Sequence, residues 1–307
     1  MAKLAFRSLP NWELFDPETK WLKHQEDLDF LAAVEQPTIE DVIEYAARVC
    51  YNSADKMGKS PNFLQKKIMQ TGHHDVIEHG YAAVWVGEEE MGFEKYIQAK
   101  HVEPGHVLAG GNIRAWYDLR EKYDWIEEVI GPIAPNIFGS PIEADVLAED
   151  TGTGPSENVM LLASSGKVGD FGHATFLVSG ISRACGYQLV RHRTLSFSQE
   201  SQRYTDTSKS GPIYPKAILE HDIASELAQT IHNLSVEAYE QMRELGITKE
   251  DARSVLLNMA PTRMVVSGDV LAWRHFLSLR TAKDAQEEIR NVADQIKSAL
   301  TRAWGSI

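Results

Sequence analysis

Apolar residues recur at three- and four-residue intervals along much of the chain, the pattern of helices that bury one face. The clearest helix begins at Thr38-Ile-Glu-Asp41, which has the spacing of a capping box, and its apolar face continues to Val49. The same pattern predicts helices over 62–69, 92–101, 115–129, 180–190, 222–245, 249–257 and 282–304. Apolar runs that contain valine and aromatic residues predict strands over 81–86 and 174–178.

Residues 131–170 interrupt this pattern. Four prolines and the glycine- and serine-rich run at 151–156 predict an irregular or mobile connection, with regular structure resuming on both sides. Gly152-Thr-Gly154 has the first two glycines of a dinucleotide-binding loop, but it lacks the third glycine and a preceding strand. A surface loop is therefore the better interpretation.

The composition is that of a globular protein that can bury a sizeable core, with 307 residues, 43% hydrophobic and 24% charged. Asp and Glu number 44 against 31 Lys and Arg, and this net charge of −13 disfavours nucleic acid as a partner. With only two cysteines, a disulfide framework and a cysteine-rich zinc module are excluded. No apolar run has the length of a membrane span or a signal peptide, so we expect a cytoplasmic protein that contacts no membrane.

Two sets of potentially reactive residues have plainer explanations. The segment His73-His74-Asp75-Val-Ile-Glu78-His79 concentrates metal-binding residue types, but its spacing matches no zinc-protease motif, and we predict no metal. Cys50 and Cys185 each lie on an apolar helical face, where a buried structural thiol is the default.

The segment that follows the predicted 180–190 helix is the richest in chemistry. Arg191-His192-Arg193 comes directly after an apolar run, where such charges are costly unless they meet an anion. Within the next ten positions the chain adds hydroxyl, amide and guanidinium groups at Ser198, Gln199, Ser201 and Arg203. These are the donors that bind phosphates and base edges, so the residues alone predict an anion site, most simply for a nucleotide.

This segment resembles the signature of the flavin-dependent thymidylate synthases, in which Arg-His-Arg is followed after seven residues by serine, here Ser201. The likeness extends through the flanking Gly180–Val190 and Gln202-Arg203-Tyr204. The segments 46–51, 72–79, 252–256, 262–263 and 272–280 follow in the family's order. The resemblance covers roughly 40–80 and 173–290.

The resemblance implies a fold, an activity and an assembly. The expected fold is α/β, a sheet packed with long helices in one domain over 1–307. The expected reaction is reductive methylation of dUMP to dTMP, with 5,10-methylenetetrahydrofolate as carbon donor and NADPH as reductant through FAD. The expected assembly is a homotetramer whose active sites are shared between subunits.

The resemblance also implies roles for individual residues. Arg280 is the expected catalytic residue, because a guanidinium near N3 of the pyrimidine favours its ionised form and makes C5 more nucleophilic. FAD contacts are expected at Asp75, Arg191, His192, Arg193, Gln199, Asp269, Val270, Leu271 and His275. The expected dUMP contacts are Gln188, Arg191, Gln199, Glu200, Ser201, Gln202, Arg203, Arg253 and Arg280, with 199–203 reaching across from a neighbouring subunit.

The chain departs from the family in two respects. Asp75, Asp269 and Asp284 stand where Thr, Asn and His are usual, which makes the flavin pocket more acidic. Residues 80–172 form an atypical insertion, because the family passes directly from the "EH" block to the Arg-His-Arg helix through one strand. Both 81–86 and 174–178 look like that strand, so one replaces the other or the two pair. A surface elaboration is the favoured role, although Arg114 and Trp116 could touch a ligand.

Two other functions remain as alternatives. The three acidic substitutions fit a nucleotide-binding homologue in which turnover is lost or altered. A nucleic-acid-binding protein that uses Arg191 and Arg193 on phosphate is disfavoured by the net charge and by the lack of a broad basic stripe.

Overall fold

The computed structural model describes residues 2–11, 37–60, 62–139, 156–206, 208 and 210–307. The Gly152-Thr-Gly154 loop lies outside the described residues. In the part that is described, no helix is long and apolar enough to cross a membrane.

The strands form two antiparallel sheets. The first has the order β1-β3-β5-β4, built from β1 (Lys3–Arg7), β3 (Tyr81–Gly87), β4 (Gln98–Glu103) and β5 (His106–Asn112). The second has the order β2-β6-β7-β9-β8, built from β2 (Leu9–Pro10), β6 (Val159–Ser164), β7 (His173–Ser182), β8 (Ser196–Gln199) and β9 (Pro261–Asp269). The chain thus passes between the sheets directly after β1.

The α-helices lie between and beside these strands. They are α1 (Ile39–Tyr51), α2 (Ile113–Leu119), α3 (Trp125–Val129), α4 (Pro135–Phe138), α5 (Arg183–Leu189), α6 (Lys216–Leu219), α7 (Asp222–Glu244), α8 (Lys249–Ala252), α9 (Val270–Arg280) and α10 (Glu287–Trp304). Single turns of 3₁₀ or π geometry lie at Ala54–Lys56, Leu64–Met69, His74–His79, Gly131–Ile133 and Arg253–Val255.

The mixed α/β class is confirmed, but the single sheet that we predicted is two sheets. The two candidate strands are both real and do not pair, because β3 lies in the first sheet and β7 in the second. The irregular stretch predicted over 131–170 contains the buried strand β6. The helix predicted over 92–101 is also wrong, since β4 occupies 98–103.

Several predicted helices exist with different bounds. The capping box is confirmed, because the Thr38 hydroxyl accepts from the backbone of Asp41 and the Asp41 carboxylate accepts from that of Thr38. The 115–129 helix is two short helices, α2 and α3, and the 180–190 helix begins only at Arg183, because β7 continues to Ser182. The 249–257 helix ends at Ala252 and continues as one 3₁₀ turn, whereas the last helix begins at Glu287.

A shared core joins the two sheets. One apolar cluster combines α1 with residues of both sheets, for example Val84 of β3 and Leu177 of β7. A second cluster lies on the other face of the second sheet, where α9 and α10 pack Trp273, Phe276 and Ile296 against β7. The second sheet is therefore covered on both faces, and the candidate site is built at its edge.

A buried carboxylate ties the 113–139 region to α1. One oxygen of Glu40 accepts from the backbone N–H of Asn136 at 2.9 Å and of Ile137 at 3.1 Å, while the other accepts from the Asn136 amide at 2.6 Å. Burial outweighs these hydrogen bonds and raises the pKa of Glu40 to about 7, from an ordinary value of 4.5.

This raised pKa predicts a pH dependence of stability. The neutral carboxyl is favoured in the folded state, so its contribution is complete below about pH 4.5 and is lost as the pH rises through 7. The loss corresponds to about 3 kcal/mol. Glu40→Gln should remove this part of the pH dependence in urea unfolding at pH 5 and pH 8. The exposed Glu240→Gln is the matched control, and equal pH dependence of wild type and Glu40→Gln would contradict the prediction.

Candidate functional site

The Arg-His-Arg segment is placed by a short helix that a distant carboxylate anchors. The Ser182 hydroxyl caps α5 by accepting from the Cys185 N–H at 3.1 Å. Both the N–H and the hydroxyl of Ser182 donate to the Glu288 carboxylate of α10, each at 2.6 Å. The last turn of α5 therefore delivers residues 191–193 at a defined place beside α9.

The first group of predicted site residues meets at the end of this helix. The Arg280 Nε of α9 donates to His192 Nε2 at 2.9 Å, and its Nη2 donates to the Gln188 carbonyl at 3.4 Å. The Gln188 side-chain amide donates to the Gln286 side-chain oxygen. Three residues that the resemblance assigns to one pyrimidine or flavin site thus lie in direct contact, with the arginine 88 positions from the histidine.

His192 differs from its two neighbours in charge and exposure. Its side chain is buried, and burial together with the nearby Arg280 and His275 lowers the pKa of His192 to about 4. Arg191 and Arg193 are exposed. Within the described part of the chain neither arginine forms an ion pair, so both guanidinium groups are available to an anionic ligand.

The second group lies at the carboxyl end of α1. The backbone N–H of Ser201 donates to the Cys50 carbonyl at 3.1 Å, and that of Glu200 donates to the Arg263 carbonyl at 2.9 Å. Burial raises the pKa of Glu200 against the opposing charge of Arg183. Arg263 lies 3.5 Å from the Glu200 carboxylate. Gln202 is buried beside them.

Two arginines of the predicted dUMP site converge on one glutamate in this second group. The Arg203 Nε donates to the Glu250 carboxylate at 2.8 Å, and the Arg253 Nε donates to the Glu250 backbone carbonyl at 3.1 Å. Gln199 lies between the two groups, where its amide donates to the Thr262 hydroxyl at 3.1 Å beneath α5. The predicted site residues therefore form two groups connected by α5 and β8.

Sequence reasoning missed several residues of the second group. The rings of Tyr51 and Tyr204 lie 5.0 Å apart on the surface, with the Arg203 guanidinium 5.7 Å from the Tyr204 ring. The Arg263 guanidinium donates to the Asn52 side chain at 2.6 Å. The sequence did contain a signal for two of them, because Tyr51 and Arg263 lie in the segments 46–51 and 262–263, which follow the family's order. The resemblance assigned no ligand contact to either residue.

The predicted flavin contacts have varied settings. Asp269 is the N-cap of α9, where its carboxylate accepts from the Ala272 N–H at 2.7 Å, and burial raises its pKa. The Asp269 carboxylate therefore stabilises the first turn of α9. The Val270 N–H donates to the Gly172 carbonyl at 3.1 Å, whereas Leu271, His275 and Asp75 are exposed. Asp284 is exposed as well.

The 73–79 segment packs against β8 and β9 through its last two residues. The two ring nitrogens of His79 lie 2.8 Å and 2.9 Å from the hydroxyls of Ser267 and Ser198, and burial lowers the pKa of His79 to about 3. Glu78 accepts from Ser196 at 2.6 Å and from Arg114 at 2.7 Å. Among the described residues no group of three or more metal-binding side chains is arranged to hold an ion.

The remaining candidates have structural settings. Trp116 is fully buried, and its indole N–H donates to the Ala82 and Gly111 carbonyls. Cys50 and Cys185 are free thiols whose pKa values are raised by burial, that of Cys50 to about 11. Neither cysteine is poised as a thiolate nucleophile.

The second half of the chain is similar to known proteins. Residues 154–304 match the model of the family described as "Thymidylate synthase complementing protein". A flavin-dependent thymidylate synthase of Mycobacteroides abscessus is 38% identical over 135 residues, covering 39% of this chain and 54% of that protein. One of Thermococcus onnurineus is 34% identical over 123 residues, covering 39% of this chain and 50% of that protein. The chain thus spans about half the length of these curated relatives.

Solved structures give a weaker likeness. A UMP/dUMP methylase, PolB, of Streptomyces cacaoi bound with 5-Br dUMP is 26% identical, with 44% of this chain and 69% of that chain covered and a TM-score of 0.39. Thymidylate synthase X of Helicobacter pylori with FAD and dUMP is 24% identical, with 42% and 67% covered and a TM-score of 0.33.

Proposed function

We propose that this chain is a flavin-dependent thymidylate synthase, because residues 154–304 match the model of the thymidylate synthase complementing protein family. The reaction is the reductive methylation of dUMP to dTMP, with 5,10-methylenetetrahydrofolate as carbon donor and NADPH as reductant through FAD. The observation that carries the proposal is the hydrogen bond from Arg280 to His192, which joins two segments of the matched region at one site. We also propose a cytoplasmic location, which the two free cysteines support.

Arg280 is the residue we assign to the pyrimidine. Its guanidinium is half-buried at the end of α9, and its Nε and Nη2 are held by His192 and Gln188. A fixed cation beside N3 stabilises the N3-ionised pyrimidine, which raises the electron density at C5 where the new carbon bond forms. Gln188 lies at the same place, so its side-chain amide is suited to the adjacent carbonyl of the base.

The residues near α5 and α9 fit an anionic flavin cofactor in most respects. The exposed Arg191 and Arg193 supply positive charge for a pyrophosphate, and Leu271 and His275 offer exposed apolar and aromatic surface on α9. Asp269 does not oppose the cofactor strongly, because its carboxylate caps α9. Asp75, Gln199 and Val270 complete the proposed FAD contacts. When bound there, FAD would relay reducing equivalents from NADPH to the transferred carbon.

We assign the second group of residues to dUMP bound at a neighbouring subunit's α5. Gln199, Glu200, Ser201, Gln202, Arg203 and Arg253 are its members. Among the described residues, the hydrogen bonds of Arg280 go to His192 and Gln188 and not to this second group, so we propose that two chains complete one active site. The long helix α7 supports such an assembly, because Tyr239 is its one buried residue while Ile223, Leu227, Ile231 and Leu234 are each at least half exposed along one face.

A homotetramer is the assembly we propose, and its mass is the direct test. Sedimentation of the purified chain should give four times its mass of 34.4 kDa. A monomer at micromolar concentration would contradict the shared active site. The exposed apolar face of α7 would then need another explanation.

We propose that the whole chain, 1–307, is one domain and that 80–172 is an elaboration of it. The elaboration supplies β3, β4 and β5 to the first sheet and covers α1 through the Glu40 contacts. Its last part differs, since β6 pairs with β7 in the second sheet and the family match begins at 154.

The experiment that tests the function is an anaerobic assay of dTMP formation with dUMP, methylenetetrahydrofolate, NADPH and added FAD. We expect product, and we expect it to disappear when FAD is withheld from flavin-stripped protein. Binding of dUMP without product would favour the alternative of a nucleotide-binding homologue, which the exposed Asp75 and Asp284 motivate.

A further inference from the structure

The histidine of the Arg-His-Arg segment faces the protein interior while the flanking arginines face solvent. His192 is 5% exposed, and its ring lies edge-on to Phe276 of α9 with the centroids 5.0 Å apart. The His275 ring is 6.0 Å away on the same helix. This packing gives His192 a fixed orientation against α9.

The contact with Arg280 defines the protonation state and the tautomer of His192. The Arg280 Nε–H donates to His192 Nε2 at 2.9 Å, and a ring nitrogen accepts only when it carries no proton. The ring is therefore neutral, with its proton on Nδ1. Burial and the adjacent guanidinium both oppose a second proton, in agreement with the lowered pKa of His192.

The hydrogen bonds hold one edge of the guanidinium. Nε is bound by His192 and Nη2 by the Gln188 carbonyl, at 3.4 Å. In the described part of the chain the Nη1 group of Arg280 has no hydrogen-bond partner. It is therefore available to donate to a ligand. Two contacts on one edge fix the plane of a side chain that otherwise has several rotatable bonds.

We propose that His192 is a positioning residue that acts through Arg280, as a neutral acceptor that sets the plane of the guanidinium against the pyrimidine. This role replaces the flavin contact that the resemblance implied for His192. The inference rests on the proposed function, because it takes the pyrimidine as the ligand of Arg280. Arg191 and Arg193 keep their role toward the anionic cofactor.

Two substitutions test whether His192 acts as a hydrogen-bond acceptor or only fills the space beside Phe276. His192→Leu removes the acceptor but keeps an apolar group against Phe276, whereas His192→Gln can place its side-chain oxygen where Nε2 lies. A hydrogen bond to a charged group is worth enough that His192→Leu should lower kcat/KM for dUMP about 10- to 100-fold. His192→Gln should restore most of this loss. Flavin content, read from absorbance, should equal that of the wild type in both variants.

A double-mutant comparison tests whether His192 acts through Arg280. The dissociation constant of dUMP should rise in His192→Leu and in Arg280→Ala, but the double variant should bind no more weakly than Arg280→Ala alone. The exposed His101→Leu, in the first sheet, is the control and should change neither flavin content nor dUMP binding. Thermal unfolding of each variant checks that it folds.

The results of these experiments distinguish the positioning role of His192 from the proposed function. Additive effects on dUMP binding, or failure of His192→Gln to restore kcat/KM, would overturn the positioning role. Loss of flavin with intact dUMP binding would assign His192 to the cofactor. Wild-type protein that neither binds dUMP nor forms dTMP would overturn the proposed function, and this inference with it.

Discussion

Replacing Arg280 with alanine should lower the rate of dTMP formation about 10²- to 10³-fold while FAD stays bound. The change removes the cation that we assign to N3 of the pyrimidine, but it leaves in place the exposed Arg191 and Arg193 that we assign to the cofactor. Loss of one preorganised group that stabilises developing charge lowers kcat about 10²- to 10³-fold. Single-turnover assays with saturating dUMP measure the rate of dTMP formation. The flavin absorbance of the purified variant measures its FAD content.

The same helix offers a matched control. Arg274 of α9 is partly exposed and forms an ion pair with Asp170, away from His192. Arg274→Ala should retain both flavin and turnover, because such a surface pair contributes little. Normal turnover of Arg280→Ala would show that the pyrimidine is activated elsewhere. Loss of flavin from Arg280→Ala would show instead that the arginine belongs to the cofactor site.

The largest effect on stability is expected from Gly110→Ala. Gly110 lies in β5 opposite Ala83 of β3, and a Cβ built there would lie 2.0 Å from the hydroxyl of Tyr81 and 2.9 Å from its Cζ. Tyr81 is buried and stacks on His173 at 5.4 Å, so it has little room to move. We expect a loss of about 3 kcal/mol in the free energy of unfolding, measured with urea.

A second substitution tests the cause of that loss. Tyr81→Phe in the Gly110→Ala background removes the closest atom and should recover part of the stability, although Cζ remains close. Gly166→Ala is the control, because its Cβ would meet no atom within 4 Å and its backbone is not left-handed. A Gly110→Ala variant as stable as Gly166→Ala would mean that β3 and β5 shift apart easily.

The spacing of apolar and capping residues predicted the helices α1 and α7, because these residues lie close together in the chain. The α1 capping box lies within four residues, and α7 shows its apolar positions over 23 residues and ends one residue before the predicted limit. The exposed strand β4, Gln98–Glu103, was predicted as helix because five of its six residues face solvent and no apolar alternation marks it. Its partner β5 begins only three residues after β4 ends, but the side chains of β4 lack the apolar alternation that would have marked a strand.

Long-range pairing explains the other misses. Strand β9 was not predicted, although it is central in the second sheet and pairs with β7 from His173 opposite Asp269 to Ser182 opposite Pro261. The resemblance identified Arg280 and His192 as site residues, but their mutual hydrogen bond depends on α9 following β9 and α5 following β7. Contacts of this kind arise from topology, so the structure was needed to find them.

The anchoring of α5 by Glu288 has a consequence for biosynthesis. Ser182 and the Arg-His-Arg segment leave the ribosome well before Glu288, which follows Ser182 by 106 residues. Arg280 also emerges late, 88 residues after the histidine it contacts. The nascent chain therefore carries the signature motif without its anchor until Glu288, 106 residues after Ser182, has been added. Folding of the site is a late, non-local step, and such steps are slow. A chain stalled before α10 would hold every residue of the motif and lack the carboxylate that orients it.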